Sequence, residues 1–364
     1  MNKRIIFYFS LILFLSMINC YQAMSQKLSD FIFERYTIKN GMSQSASMCI
    51  YQDKLGYIWV GTQQGVDKFD GYNLKQYSHD IKNEFSRASG WVLDIQEDEN
   101  GNIWTSDTYG HLSLLNRNND HWDNINIIVR DTLLKNNKSL SFRFGSATSI
   151  YMDNKNRCLW IGSNGTGLLQ YDIQNKKFKQ YLVHPETGIK FGKQEIINKV
   201  LGQNDDNLIV STDRGLQYFN KKNLNFSPIF NSKDSIFITR VNDFKIVENK
   251  IYAATNFGAF IYDVVNKQIH KYNSRSNDVN SLSSDLVRNI HYSKSSNYLW
   301  LTIMNAGVDV INLSNNKILH ININNAKEYG IEYENYFNIL EDKDKNIWLG
   351  GYDITKYDPN KRKF

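Results

Sequence analysis

One alternating pattern recurs seven times down this chain, and that recurrence limits the fold more than any other feature. Its fullest copy runs from Tyr57 to Phe69, Y-I-W-V-G-T-Q-Q-G-V-D-K-F. Ile58, Val60 and Thr62 alternate with Trp59 and Gly61, which is the period of a strand. Gly65 breaks the run, and a second alternating segment returns from Val66 to Phe69 before Asp70-Gly71. Both faces are apolar, so the hairpin needs cover on both sides. With Trp59 as anchor, echoes fall at Trp104, Trp160, Ile209, Tyr252, Trp300 and Trp348, spaced by 45, 56, 49, 43, 48 and 48 residues. That is the length of a four-stranded propeller blade.

The unit has further fixed parts. A polar turn precedes the anchor, as in Asp53 to Gly56, Asp98 to Gly101, Asp153 to Asn156 and Asp342 to Asn346. A glycine follows it: Gly65, Gly110, Gly167, Gly215, Gly258 and Gly307. Asp353 takes that place in the seventh unit and is expected to share the left-handed backbone. Each unit therefore reads as strand A, polar turn, strand B with the anchor, glycine turn, strand C, Asp or Asn turn, strand D. One such sheet cannot bury both faces alone, and packing seven radially covers each against a neighbour. The expected fold is all-β, a seven-bladed propeller of four-stranded antiparallel blades. The last unit has almost no strand D, because the chain stops at Lys361 to Phe364. Phe31 to Tyr36 resembles a strand D with no strands before it, and is expected to complete the seventh blade.

Residues 1–25 read as a secretory signal and 26–364 as the propeller, with the C-terminus placed as if cut inside a strand. Lys3 and Arg4 give the basic start, Ile5 to Ile18 the apolar core, and Ala23-Met24-Ser25 the cleavage site. The apolar run is shorter than the roughly 20 residues of a membrane span. Asn19 before Cys20 is a poor fit to a lipoprotein site. Removal of the leader takes two basic residues and lowers the net charge from +6 to +4. That mild and scattered surplus implies no nucleic-acid partner. Cys49 and Cys158 remain, in different repeats, and make no disulfide framework. The expected location is the periplasm, with no membrane insertion after cleavage. Tyr (22), Phe (20) and Trp (7) far outnumber Pro (3), which suits β structure.

Two runs imitate cofactor motifs. Gly162 to Gly167 has no following Lys-Ser/Thr and opens no helix, so it reads as a turn and not a phosphate loop. Asp342 to Asn346 begins like a calcium loop but lacks the sixth-place glycine and the distal glutamate. No histidine has metal-ligand spacing to another histidine or a cysteine, and no G-x-S-x-G elbow is present. No cofactor is expected.

Asn40 to Ser47 (N-G-M-S-Q-S-A-S), Ile50 to Asp53, Gly56 to Thr62 and Gly65 to Gly71 together resemble the opening of the two-component regulator propeller. That propeller is found in the sensor region of Bacteroidetes hybrid two-component histidine kinases. The resemblance covers essentially all of the mature chain. It is good again at Trp160-Ile-Gly162 and Ile347 to Gly350, and weaker in units four and five, which lack the tryptophan. It implies carbohydrate sensing. Family members carry a second propeller, a β-sandwich, a membrane span, a kinase and a DNA-binding regulator, none of which can be read here. The chain is thus expected to be a fragment, a truncated product or a free-standing propeller.

In a propeller, the B-to-C turns and the D-to-A connections gather on one rim. The candidate ligand residues are Gln63, Gln64, Tyr109, Asn164, Asp213, Arg214, Asn256 and Asn305 from the turns, and Arg87, Trp91 and Arg143 from the connections. Phe257, Trp122, Tyr333 and Tyr336 accompany them. Aromatic faces take sugar C–H edges, and polar groups pair with hydroxyls or a carboxylate. The expected role is a non-catalytic ligand sensor, with an oligosaccharide or other small ligand and the other domains or chains of a sensor kinase as partners. A homodimer is compatible with the sequence. Two alternatives stand beside it: a lyase-type propeller enzyme, with His111 the first rim histidine to try, and a scaffold without its own ligand.

Overall fold

Each repeat forms a meander because its apolar residues alternate and its breaks fall on turn-forming residues. In the computed structural model the described residues are 31–127, 147–182, 195–213, 215–230, 240–325 and 329–361. The leader, Arg143 and Arg214 lie outside them. The chain opens with β1 (Phe33–Tyr36). The first repeat is β2 (Ser47–Gln52), β3 (Ile58–Thr62), β4 (Gly65–Phe69) and β5 (Leu74–Ser78). The second is β6 (Val92–Glu97), β7 (Ile103–Asp107), β8 (His111–Asn116) and β9 (His121–Asn126). The third is β10 (Ala147–Asp153), β11 (Cys158–Gly165), β12 (Leu168–Asp172) and β13 (Lys177–Tyr181). The fourth is β14 (Glu195–Gly202), β15 (Asn207–Thr212), β16 (Gly215–Asn220) and β17 (Asn225–Pro228). The fifth is β18 (Val241–Val247), β19 (Lys250–Thr255), β20 (Gly258–Asp263) and β21 (Gln268–Tyr272). The sixth is β22 (Val287–Ser293), β23 (Tyr298–Ile303), β24 (Gly307–Asn312) and β25 (Lys317–Ile321). The seventh is β26 (Tyr336–Glu341), β27 (Ile347–Gly351) and β28 (Ile354–Tyr357), with β1 as its outer strand.

The all-β propeller architecture is present. The strands make five separate four-stranded sheets and one eight-stranded sheet, in which the third and fourth meanders join where Asn164 pairs with Ile196. Counted as meanders, the described strands form seven, and their first strands pack in cyclic order, β2 on β6 through to β26 on β2. Hydrophobic clusters fill the gaps between sheets. Trp59 and Val66 meet Ile95 and Leu115 between the first and second, and Met42 and Phe69 meet Trp348 and Ile354 between the first and seventh.

The ring closes as the sequence suggested. β1 runs antiparallel to β28, Phe33 opposite Tyr357 and Tyr36 opposite Ile354. Phe31 and Phe33 enter the cluster containing Trp300 and Tyr336. Asp353 differs from its expectation. It is absent from the residues with positive φ, is 1% exposed, and accepts from Arg35 Nε at 2.7 Å. The six glycines do have positive φ. At Gly65, Gly258 and Gly307 an added Cβ would overlap a carbonyl oxygen of the outer strand, Tyr77, Tyr272 or Ile321. In the seventh sheet β1 turns away at Thr37 into a 3-10 turn over Ile38–Asn40, and an arginine from that strand anchors the turn instead.

The tryptophan and the turn aspartate belong together. The indole Nε1 donates to the aspartate of its own A-to-B turn from Trp59 to Asp53 (2.6 Å), Trp104 to Asp98 (3.2 Å), Trp160 to Asp153 (3.4 Å) and Trp348 to Asp342 (2.7 Å). Asp342 also accepts from the Asp344 and Asn346 amides and Asn346 Nδ2. Its carboxylate is thus surrounded by donors, the reverse of a calcium loop. Trp300 has Ser293 in that position, and its Nε1 is buried without a partner.

Candidate functional site

The inner strands have an exposed edge problem that the sequence solves by repetition. Each strand A is the inner edge of its sheet, and edge N–H and C=O groups need partners. In all seven, the register with strand B slips after the first paired residue, by a β-bulge at Ser47/Cys49, Val92/Asp94, Ala147/Ser149, Ile197/Lys199, Val241/Asp243, Val287/Asn289 and Tyr336/Asn338. A bulge re-aims the side chain it frees. Thr148 Oγ1 donates to Ile197 O (2.5 Å), Asn198 Nδ2 to Val241 O (2.9 Å) and Asn242 Nδ2 to Val287 O (2.8 Å), each reaching the next sheet. One residue on, Asp94 accepts from the Ile150 amide (2.8 Å) and Asp243 from the Ile290 amide (3.1 Å).

The bulge sits at the end of strand A that pairs with the end of strand B, next to the B-to-C turn. The seven freed residues Met48, Leu93, Thr148, Asn198, Asn242, Arg288 and Phe337 therefore ring the mouth of the inner channel on the predicted rim. Three of them are paired as above. Arg288 is not. Among the described residues it makes no hydrogen bond and no ion pair. Its guanidinium carbon lies 4.4 Å from the Phe337 ring centre, and burial holds its pKa below the usual arginine value while Tyr352 pushes it back up. The carboxylates next in sequence to Tyr333 and Tyr352 are engaged elsewhere: Glu332 and Asp353 with Arg35, and Glu334 with the Ile323 amide. Phe337 meets Tyr352 edge-on at 5.6 Å, and Tyr352 meets Tyr333 at 5.7 Å. Tyr352 and Tyr333 are 45% and 39% exposed, so the mouth carries an open aromatic wall with an unpaired cation at its foot.

The predicted rim residues are spread around this face. Gln64, Trp91, Tyr109, Asn164, Asp213, Asn256, Phe257 and Asn305 are exposed and Gln63 is half-buried, in six different repeats. Asn256 accepts from Asn242, and the Asn305 amide donates to Asn335. None of these contacts joins two of the predicted residues directly. Arg87 is 1% exposed. It donates to Ser89 O (2.8 Å) and Thr105 Oγ1 (3.0 Å) and lies over Trp122, and burial lowers its pKa to about 10. It therefore holds the first connection in place and does not face a ligand. Trp122 lies in outer strand β9 and is buried, as is Tyr336. Arg288, Phe337 and Tyr352 were missed, since an arginine or phenylalanine inside a strand reads as core or solvated face. The signal that could have found Arg288 is its alignment with Thr148, Asn198 and Asn242, each one residue past the first pair that strand A makes with strand B.

The groups that an enzyme reading would need are arranged otherwise. His111 Nδ1 is 2.8 Å from Asp107 Oδ2 in its own turn. Ser283 Oγ (2.8 Å) and Asp309 Oδ1 (2.6 Å) both contact His320 Nδ1, while Nε2 faces the Val279 carbonyl. With both partners on one ring nitrogen, no proton relay from serine through the ring to aspartate exists. Among the described residues no three metal-ligating side chains converge, and no helix is long and apolar enough to cross a membrane.

On the opposite face, cations of one sheet reach back to the turn aspartate of the preceding one. Arg117 pairs with Asp53 and Lys221 with Asp153, at 2.7 and 2.8 Å. Between the second and third sheets the equivalent residue is Ile173, and an open cleft of about 340 Å³ lies there, lined by Asp98, Glu99 and Arg157.

Comparison with known proteins agrees with this architecture. The two-component regulator propeller family matches at residues 41–64 and 330–353, the first and last repeats. Within these two stretches the chain matches the family whose opening its sequence resembles. A histidine kinase P4 of Formosa agariphila is 43% identical over 58 residues, 16% of this chain and 4% of that protein. The extracellular domain of the hybrid two component system BT3049 of B. thetaiotaomicron superposes with a TM-score of 0.69 at 19% identity, covering 90% of this chain and 42% of that one. That of the one component system BT4673 gives 0.68 at 18%, covering 90% and 40%. A streptogramin B lyase gives 0.62 at 12%, covering 90% and 97%. These likenesses show the fold. The chain spans about two-fifths of the extracellular domains and a small part of the kinase.

Proposed function

We propose that this chain is a non-catalytic, ligand-sensing propeller of a periplasmic two-component signalling system, and that it takes an oligosaccharide at the mouth framed by the B-to-C turns. The observation that carries the reading is the exposed wall of Tyr333 and Tyr352 against Phe337 and Arg288. Ring faces stack on sugar C–H edges, and a guanidinium and amides orient the polar groups. The family match and the likeness to extracellular domains of two-component systems support the signalling role. Signal would pass to the other domains or chains of a kinase only if ligand favours one arrangement over another. Calorimetric titration of the full chain with a glycan panel tests the site. Binding by wild type, weakened about tenfold or more in Tyr352→Ala and Tyr333→Ala, is the expected result. Flat heats across the panel would remove the proposal.

A further inference from the structure

We infer that the ligand of the channel mouth carries an anionic group, a carboxylate or a sulfate ester, and that Arg288 is the residue that binds it. The inference rests on the sensor reading above and narrows it to acidic saccharides. The argument starts from the inner-strand ring. In the third, fourth and fifth repeats the bulged residue is Thr148, Asn198 or Asn242, and each donates to a carbonyl of the next inner strand, that of Ile197, Val241 or Val287. Arg288 occupies the same place in the sixth sheet, yet it makes no such bond. Its guanidinium turns to the Phe337 face instead. The half-buried guanidinium offers five N–H donors in a planar fork, and no described residue takes any of them.

The surrounding groups do not relieve it. Glu332 and Asp353, which flank the tyrosine wall in sequence, are held by Arg35 on the closing strand, and Glu334 by the Ile323 amide. Among the described residues, Tyr352 is the ionisable group that acts on Arg288, against the effect of burial. A planar two-oxygen anion matches the fork in a way that a hydroxyl does not. The tyrosine wall beside it would hold the sugar ring that bears the anion.

The test compares matched ligands on the full chain, so that no variant is needed for its first half. Oligouronates and sulfated oligosaccharides are titrated beside their carboxyl-reduced or desulfated counterparts. The expected result is binding of an acidic member about 10- to 100-fold tighter than its neutral counterpart, the worth of one charge-assisted contact. That preference should disappear in Arg288→Gln and return in part in Arg288→Lys, with melting temperatures of both variants checked against wild type. Equal binding of charged and neutral partners, or an acidic preference that survives in a folded Arg288→Gln, overturns the inference and leaves the sensor reading standing. Absence of binding by every member, charged and neutral, overturns both.

Discussion

The indole of Trp348 and the carboxylate of Asp342 show how one residue pair secures a blade. Asp342 gathers two amides, the Asn346 side chain and the indole N–H, so Asp342→Ala would strand several buried donors. A loss of about 2–4 kcal/mol is expected, read as a fall of several degrees in melting temperature. Ser293→Ala, beside the already unpartnered Trp300, should cost well under half of that. Asp67 makes a different prediction. It is buried, its Oδ2 accepts from the Ser43 amide at 2.8 Å, and its Oδ1 has no partner. Burial raises its pKa from 3.8 to about 6. The folded chain therefore holds this proton more tightly than the unfolded one. Stability from this group falls as pH rises from about 4 to 6, and the cost, at most about 3 kcal/mol, is complete above that window. Urea unfolding of wild type and Asp67→Asn at pH 4 and pH 7 should show the variant gaining on wild type at the higher pH. An unchanged difference would mean that the carboxyl has the same pKa in the folded and unfolded chain.

At the scale of the element, the sequence was readable wherever one position serves one backbone need. Gly65, Gly258 and Gly307 are such positions, because positive φ and a facing carbonyl leave no room for Cβ. Gly258→Ala is expected to lower stability by about 2 kcal/mol or more, from strain at φ 106° together with the overlap on the Tyr272 carbonyl. Asp353 was misread because the same slot can be served by a different device, an arginine arriving from a distant strand. The pairing of turn aspartate with tryptophan was visible only as two separate regularities. The bulge ring was hidden because a one-residue slip breaks the period of two on which strand reading depends. The rim was legible as a face but not as a site, since 64 residues, more than a whole repeat, separate Arg288 from Tyr352 in sequence. The cleft at Ile173 is a place where one repeat lacks what its siblings have. Ile173→Arg should reproduce the Arg117 arrangement, closing onto Asp98 and raising stability by up to about 1 kcal/mol, with the gain shrinking in high salt.

The whole molecule depends on a circle joined by one short strand. β1 gives the seventh sheet its outer strand, Phe31 and Phe33 fill the gap beside Trp300 and Tyr357, Arg35 ties Asp353 to Glu332, and Lys361 pairs with Glu34. Two phenylalanines leaving that core would alone remove about 3–6 kcal/mol of burial. Deleting residues 1–36 should therefore expose the β28 edge, lower the melting temperature sharply and promote association through the bare strand. Amide exchange would locate the damage, with protection lost first in Ile354–Tyr357 and in the facing strand of the sixth sheet. A permuted chain that starts at Gly41 and carries residues 31–40 after Lys361 through a short flexible linker restores every closing contact in a new order. If closure is a matter of contacts and not of chain direction, the permutant should melt close to the wild type. A permutant as weak as the deletion, with the linker long enough to span the gap, would mean that the N-terminal strand acts before the ring is assembled, as part of the folding route and not as its clasp.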